Sequence, residues 1–542
     1  MNPLNFVSKP KFLNVILFVL VFFSISTILS LWSLYIFRFA PLIFVISLIL
    51  SYFVLKKFPV EMPQISISAI YIGLVIVILA AQPFLFITPF ADASADPAAH
   101  IGSLAIGQTM PETYGKFSDL EYRYQIGFPL LAKMFIDLLS FVSSNLIVWL
   151  LGIVFVFLSA ILIYLVSREF FSDEKAGLLA IMFFIGSKIV FQNLFWGQYT
   201  FLLASVFFLA TFLAVLKKNP LAFLFFPLIL IAHPGVALYA VIFFGIYFVF
   251  SRDFEQTAKL FLSGILGLPS LFITYIPMLA NLGNEKAIPF LISNIPGNII
   301  IFSLWIGLLI FAFAVLAILF IIIKKKFDKK NIFLIAVFIV ASGLSIYFVS
   351  IGRVLGGRVI ELAMFSGLLL AVYAVLQIIR SELPKKISNE RNLFLISFFL
   401  IFIFSIALFF TSNQLNTLKS GSKINAEGID FAFAFKSFDP EYKKTLFLIE
   451  YRAKIAELSQ KIPYDVNSGF YLSYAPMVSG DDPFYAELEK RHILAENARK
   501  NACVECIREA EVEYVVAKDD FFSEELGLKK VFEYKAYKVF SR

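Results

Sequence analysis

The chain has 542 residues, of which 60% are hydrophobic and 15% are charged, with a formal net charge of +8 at pH 7. Soluble globular proteins carry about 25% charged residues, so this composition excludes that class. Apolar stretches such as residues 12–36 and 298–323 are long enough to cross a hydrocarbon core of about 30 Å as helices. The sequence therefore predicts a polytopic α-helical membrane protein.

The apolar segments predict about thirteen transmembrane helices. Because the first segment is too long for a signal peptide and lacks a small-residue cleavage site, we expect it to be retained. Lys and Arg clusters mark alternate connections as cytoplasmic, which predicts a cell-membrane protein with its N-terminus inside and its C-terminus outside. The predicted spans are 12–36, 40–55, 66–88, 145–166, 176–190, 200–216, 221–232, 235–250, 259–280, 298–323, 331–350, 359–379 and 393–411.

Two domains are predicted: a transmembrane domain over 1–411, with a long outer loop over 88–145, and an extracytoplasmic α/β domain over 412–542. Basic and acidic residues nearly cancel in the second domain, so nucleic acid is not an expected partner. Apolar residues at helical spacing predict a helix over 440–462. Residues 511–520 and 531–540 are typical of strands, the latter by its alternation.

The only cysteines, Cys503 and Cys506, form a CxxC in this outer domain. A structural zinc site needs four ligands, and the only histidine nearby is His492, so zinc is disfavoured. A local disulfide, permitted outside the cell, and two buried thiols are the alternatives.

The outer loop opens with "ADASADPAAH", which places Asp92, Asp96 and His100 at the end of a membrane-length segment. One interpretation is structural, since Asp96 suits a helix N-cap and Pro97 the first helical position. The other is chemical: a carboxylate beside hydrocarbon has a raised pKa, and His100 shares a helical face with Asp96. The loop continues with Glu112 and then with an amphipathic segment that contains Lys133 and Asp137. We expect this segment to lie along the membrane interface.

Other polar residues are predicted at the same outer level. Arginines 353 and 358 flank a glycine-rich connection, where they suit a phosphate or merely anchor helix ends to headgroups. His233, before a helix-breaking proline, either contacts phosphate or sugar or is a satisfied turn residue. Trp196 and Gln198 either contact a sugar or belong to the interfacial belt.

Two motifs resemble the GT-C superfamily of membrane glycosyltransferases. Asp96 to His100, "DPAAH", is similar to the Asp-Pro-x-x-His/Asn motif of archaeal and eukaryotic oligosaccharyltransferase catalytic subunits. Tyr124 to Leu131, "YQIGFPLL", resembles the exit from their first external loop. About thirteen spans and an outer C-terminal domain also match. The tail lacks the "WWDYG" motif, and the carboxylates follow the third predicted span rather than the first. A single-sugar transferase therefore fits better than an oligosaccharyltransferase.

The resemblance implies transfer of a sugar from a polyprenyl (dolichyl) phosphate to a glycan, lipid or protein acceptor at the outer face. Asp96, or alternatively Asp92, would be the general base. Asp96 is alternatively an oxygen ligand to Mg²⁺ or Mn²⁺, and no other cofactor is expected. Donor phosphate would be bound by Arg353, Arg358 and His233. The expected sugar or substrate contacts are His100, Glu112, Tyr124, Trp196 and Gln198.

A transporter or flippase of lipid-linked saccharide is the alternative function, and a structural or receptor-like protein is a third. Transporters keep ionisable residues near the bilayer midplane. The predicted spans are almost free of charge, and the polar candidates lie at one outer level, which favours chemistry at the outer face.

Overall fold

The computed structural model describes residues 11–33, 40–60, 67–86, 126–142, 144–187, 198–270, 307–350, 354–381, 389–409, 426–441, 443–449, 455–456, 459, 461–464, 483–501, 503–518 and 526–541. The part up to 409 is helical. Its helices are α1 Lys11–Trp32, α2 Ala40–Lys57, α3 Ile67–Phe86, α4 Gly127–Leu138, α5 Ser144–Phe171, α6 Glu174–Ile185, α7 Tyr199–Leu216, α8 Ala222–Ala232, α9 Pro234–Ser251, α10 Phe254–Ser263, α11 Leu308–Ile323, α12 Lys329–Ser350, α13 Val354–Arg380 and α14 Glu390–Phe409.

Seven of the helices in the described residues are long and apolar enough to cross a membrane: α1, α2, α5, α7, α12, α13 and α14. The helices α3, α8, α9 and α11 contain shorter apolar segments. This confirms a mostly helical chain of the kind expected for a polytopic membrane protein. The count of thirteen spans stays a prediction.

The predicted span 259–280 is described only as far as Ser270, and it stays a prediction. α10 carries Glu255 and Lys259 as an exposed ion pair, next to the exposed apolar side chains of Phe254 and Leu262. A 3₁₀ turn, Gly264–Gly267, and a short helical turn, Leu268–Ser270, follow it. The two glycines lower helix propensity at this point, which explains why no continuous apolar helix forms over 254–270.

Phenylalanine rings hold the interior of the bundle together. Phe243 of α9 meets Phe208 and Phe212 of α7 edge to face, with ring centroids 4.9 and 4.7 Å apart. It also meets Phe333 of α12 at 5.2 Å. Edge-to-face contacts of this kind add to van der Waals packing, the main attraction between helices in lipid.

The tail forms a five-stranded sheet in the order β2-β1-β3-β5-β4. β2 and β3 run parallel to β1, and β5 runs antiparallel to both β3 and β4. Separate apolar cores cover the two faces, one with α15 and the other with α16 and α17. The elements are α15 Ala426–Phe438, β1 Lys444–Phe447, β2 Ile462–Pro463, α16 Pro483–Asn501, α17 Val504–Glu509, β3 Tyr514–Ala517, β4 Lys529–Tyr534 and β5 Tyr537–Ser541.

Two predictions for the tail are wrong in part. The segment 440–462, predicted as a helix, contains strand β1 and the first residue of β2. Leu446 and Phe447 belong to opposite cores, so β1 is apolar on both faces and its short run lacks the alternation of a half-buried strand. The stretch 531–540 is a hairpin and not one strand, because the chain turns at Lys535 with φ +53°. The strand predicted within 511–520 is confirmed as β3.

Candidate functional site

Charged side chains join the helix ends at one end of the bundle. Asp173 Oδ2 lies 2.6 Å from Arg380 Nη2, and Lys175 Nζ lies 2.7 Å from Glu390 Oε1. We call this the cation end. Further contacts there join Lys217 to Glu169, Lys330 to the carbonyl of Phe170, and Asn219 to the carbonyl of Pro59. Several basic clusters predicted to share one side of the membrane therefore lie at the same end.

The opposite end of the bundle, which we call the distal end, contains Gly127, Gln198 and His233. α7 fixes the separation, because it begins directly after Gln198 and ends before Lys217 at the cation end. Its 18 residues span about 27 Å. The two ends are thus roughly a membrane thickness apart.

His233 is buried at the break between α8 and α9, 4% exposed. Its Nδ1 accepts hydrogen bonds from the backbone N–H groups of Gly235, at 3.1 Å, and Val236, at 3.4 Å. The imidazole is therefore the N-cap of α9, and in its neutral form it carries the proton on Nε2. Its ring also meets Phe201 edge to face at 5.8 Å. The cap agrees with the interpretation of His233 as a hydrogen-bonded turn residue. Contact between His233 and a donor phosphate stays a prediction.

Gln198 is a second predicted residue at the distal end. It lies directly before α7, is 8% exposed, and its backbone carbonyl accepts from the Leu202 N–H at 3.2 Å. The next residue, Tyr199, packs on Phe128 with ring centroids 5.1 Å apart. Since Phe128 belongs to the "GFPLL" segment, the α7 entry and the exit from the long outer loop meet here.

Gly127 brings the same loop exit against the His233 break. A Cβ at Gly127 would lie 2.8 Å from Ala232 Cα and 3.0 Å from the carbonyl oxygen of Ile231. Backbone meets backbone at this point, so only glycine fits without a shift of α4 or α8. Sequence reasoning identified the glycine through a motif, but the contact that requires it is set by packing.

α4 is the amphipathic segment that the sequence predicted with Lys133 and Asp137. Its residues from Gly127 to Ala132 are all buried, as is Met134. Only the later part reaches the surface, where Lys133 Nζ lies 2.6 Å from Asp137 Oδ1. The apolar face packs against α1, α2, α5, α7 and α8. The amphipathic character of the segment is therefore confirmed, and its position along the membrane interface stays a prediction.

The other predicted site residues, Asp92, Asp96, His100, Glu112, Tyr124, Trp196 and Arg353, lie outside the described residues. Arg358 lies in α13, and its side chain lies outside what is described. Their chemical roles stay predictions. The helices that flank them start or end at the cation end: α6 and α12 run away from it, and α7 and α13 run toward it.

Within the described residues, no group of three or more His, Cys, Asp and Glu side chains could hold a metal ion. Asp96, the predicted metal ligand, lies outside that part of the chain. Metal dependence therefore stays open.

The C-terminal sheet contains a second cluster of titratable groups, at the start of the parallel strands. Burial alone would raise the pKa of Asp439, but hydrogen bonds from the Tyr514 hydroxyl, the Glu441 N–H and the Lys443 ammonium lower it to about 2. Burial lowers the pKa of Lys461, whose Nζ donates to the carbonyl oxygens of Asp439 and Glu441. These bonds tie the end of α15 to the sheet, and the Lys461 side chain is fully covered. The cluster is structural and was not predicted.

Cys503 and Cys506 form a disulfide at the start of α17. Cys503 Sγ also accepts from the Cys506 N–H at 3.2 Å, in the position of an N-cap. Of the alternatives that the sequence left open, the local disulfide is the one found.

No protein-family model matches this chain, and no curated protein matches it in sequence. The functional argument therefore rests on the residues and their arrangement.

Proposed function

We propose that the protein is an integral-membrane glycosyltransferase of the GT-C type, which moves a sugar from a polyprenyl phosphate to an acceptor at the distal end. The observation that carries the proposal is the meeting of Gly127, Gln198 and His233 at this end. The first follows the loop that holds the predicted carboxylates, and the other two are themselves predicted site residues. The residues of a single site must lie at the same end of the bundle, as these three do.

The distal end is assigned to the extracytoplasmic side. Excess Lys and Arg at the opposite end supports this orientation through the bias of cytoplasmic loops toward positive charge. α14 begins at the cation end, where Glu390 pairs with Lys175, so the outer domain follows a helix that ends distally. The Cys503–Cys506 disulfide supports the same assignment, because disulfides persist in oxidising compartments.

The proposed reaction breaks the bond between the anomeric carbon and the phosphate oxygen of the carrier and forms a bond from that carbon to an acceptor oxygen. Asp96, or else Asp92, takes the acceptor's hydroxyl proton. Arg353 and Arg358 stabilise the negative charge that develops on the departing polyprenyl phosphate. If Asp96 instead binds Mg²⁺ or Mn²⁺, that ion would supply charge stabilisation.

A transporter is less well supported. Among the bundle side chains that the structure describes as buried, none is Asp, Glu, Lys or Arg, whereas transporters keep such groups near the midplane. The buried polar groups there are hydroxyls together with Gln198, His233 and Asn331, and these three lie at helix ends.

The test is sugar transfer by the purified protein in liposomes, from labelled polyprenyl phosphate sugars to a panel of acceptors. We expect Asp96→Asn to lower turnover at least about a hundredfold while donor binding persists, because the base is lost and the carbonyl oxygen is kept. Asp119→Asn, a matched change in the same loop, should leave turnover unchanged.

Equal loss in both variants would mean that the loop's fold, and not its chemistry, was damaged. Unchanged turnover in Asp96→Asn would contradict the role of Asp96 as general base and would favour Asp92 as the base instead. Donor flux across the membrane without transfer would contradict the enzyme and favour a flippase.

A further inference from the structure

The turn between α11 and α12 is an exposed basic segment at the cation end. Residues 324–330, "KKKFDKK", include five lysines and one aspartate, and we call them the lysine turn. All seven residues are exposed to solvent or lipid. Its position is fixed by Lys330, which donates to the carbonyl of Phe170 at the end of α5.

The aspartate is held by Asn331 and, within the part of the chain that the structure describes, makes no ion pair with a lysine of the turn. Asp328 accepts hydrogen bonds from the backbone N–H of Asn331 at 2.8 Å and from its side-chain amide at 2.9 Å. Lys326 donates to the Gln377 amide oxygen, a neutral acceptor, at 3.3 Å. No ion pair found among the described residues includes a lysine of this turn. The turn therefore presents an excess of positive charge, with five lysines against the single carboxylate of Asp328.

The backbone of the turn gives a second indication. Lys325 has φ +50°, the left-handed region, at the position after a helix where glycine is usual. The same occurs at Lys218, φ +51°, and Arg252, φ +60°, after α7 and α9. Basic side chains thus occupy three helix ends at which glycine would be less strained, and Ser172, φ +53°, and Glu511, φ +49°, occupy two others. Charge at these positions is favourable toward the helix dipole and toward an anionic surface.

Apolar side chains flank the lysines. Ile323, at the end of α11, is 73% exposed, and Phe327 within the turn is 54% exposed. α11 is an apolar helix, so its exposed residues face hydrocarbon in a membrane. Lysines beside such residues reach the headgroup layer through their flexible stems.

We propose that the lysine turn binds the phosphate-bearing headgroup of an anionic membrane lipid, with Ile323 and Phe327 beside its acyl chain. Lys325 and Lys329 supply the charges that contact the phosphate. The apolar pair favours a lipid over free phosphate, because a soluble anion has no acyl chain to pack against Ile323 and Phe327. This site is separate from the distal end and does not depend on the proposed reaction.

The experiment counts lipids bound to the purified full-length protein by native mass spectrometry, with phosphatidylglycerol, with phosphatidylcholine and with inorganic phosphate. We expect the wild type to prefer phosphatidylglycerol. Lys325→Gly combined with Lys329→Gln should weaken that binding about thirtyfold. Each lysine near an anionic surface raises the affinity about fivefold, and the two factors multiply. Because glycine relieves the left-handed backbone, the melting temperature in neutral lipid should not fall.

The matched control is Lys56→Gln with Lys57→Gln, which removes two exposed lysines from another helix end among the basic clusters. Retained binding in this control, with loss in the turn variant, supports the site. Equal loss in both would assign the affinity to the whole cation end and overturn the proposal. Full binding by the turn variant, or displacement of the lipid by inorganic phosphate, would overturn it as well.

Discussion

Gly127 illustrates how a single residue positions the candidate site. Its missing side chain allows α4 to approach the end of α8, and this contact brings the exit of the outer loop beside His233. The motif alone predicted a functional neighbourhood, whereas the structure supplies the steric reason for the glycine.

We expect Gly127→Ala to destabilise the protein by about 1–3 kcal/mol, because the new methyl group would meet backbone atoms that cannot rotate away. The control is Gly245→Ala in α9, where a Cβ has nothing within 4 Å. That change should be neutral or slightly stabilising, since alanine favours helix. Thermal unfolding in a fixed detergent measures both, and equal melting temperatures would contradict the steric account.

Asp439 makes the outer domain sensitive to acid. Its pKa is about 2 in the folded protein, below the ordinary 3.8, so the ionised form stabilises the fold. That stability is present above the ordinary pKa and is lost as the pH falls from about 3.8 through about 2. The contribution is about 2 kcal/mol.

Pepsin digestion of the full-length protein across this pH range measures the loss. Wild-type cleavage within 426–541 should accelerate as the pH falls. Asp439→Asn should be cleaved faster at the upper end and show a weaker pH dependence. Tyr514→Phe removes the hydroxyl that donates to Asp439 at 2.6 Å and should move the acceleration to higher pH. Identical profiles for all three proteins would contradict this role of Asp439.

At the scale of elements, helix type was predictable and some element boundaries were not. Long apolar runs form helices in a membrane, because a helix satisfies its own backbone hydrogen bonds there. In the outer domain, the short apolar run "TLFLI" fits helix and strand equally well, and pairing of β1 with β2 and β3 decides for strand. α4 shows the same limit, because its burial depends on five neighbouring helices.

At the scale of the whole molecule, the two ends of the bundle differ in charge, and this difference predicts orientation. The native cysteines test it, since the chain has only two. An impermeant maleimide added to intact cells should label Cys503 and Cys506 only after an impermeant reductant has opened their disulfide. The reason is that the outer domain follows the distal end of α14.

A cysteine-free chain with Lys57→Cys is the matched control at the opposite end. Its thiol should react only after the membrane is permeabilised. Labelling of Lys57→Cys in intact cells, together with protected native cysteines, would reverse the orientation and with it the proposed side of sugar transfer.

The sequence by itself predicted that this chain folds in a membrane. Its apolar segments require a membrane, and its basic clusters divide the connections between two sides, because hydrophobicity and charge act on each segment independently of its neighbours. It also indicated glycine, histidine and glutamine positions that share the distal end. Only the tertiary structure decided that His233 caps α9, that Gly127 meets α8, that Asp439 and Lys461 lie together, and that the cysteines pair. These features arise from contacts between segments far apart in the chain, and no local pattern encodes such contacts.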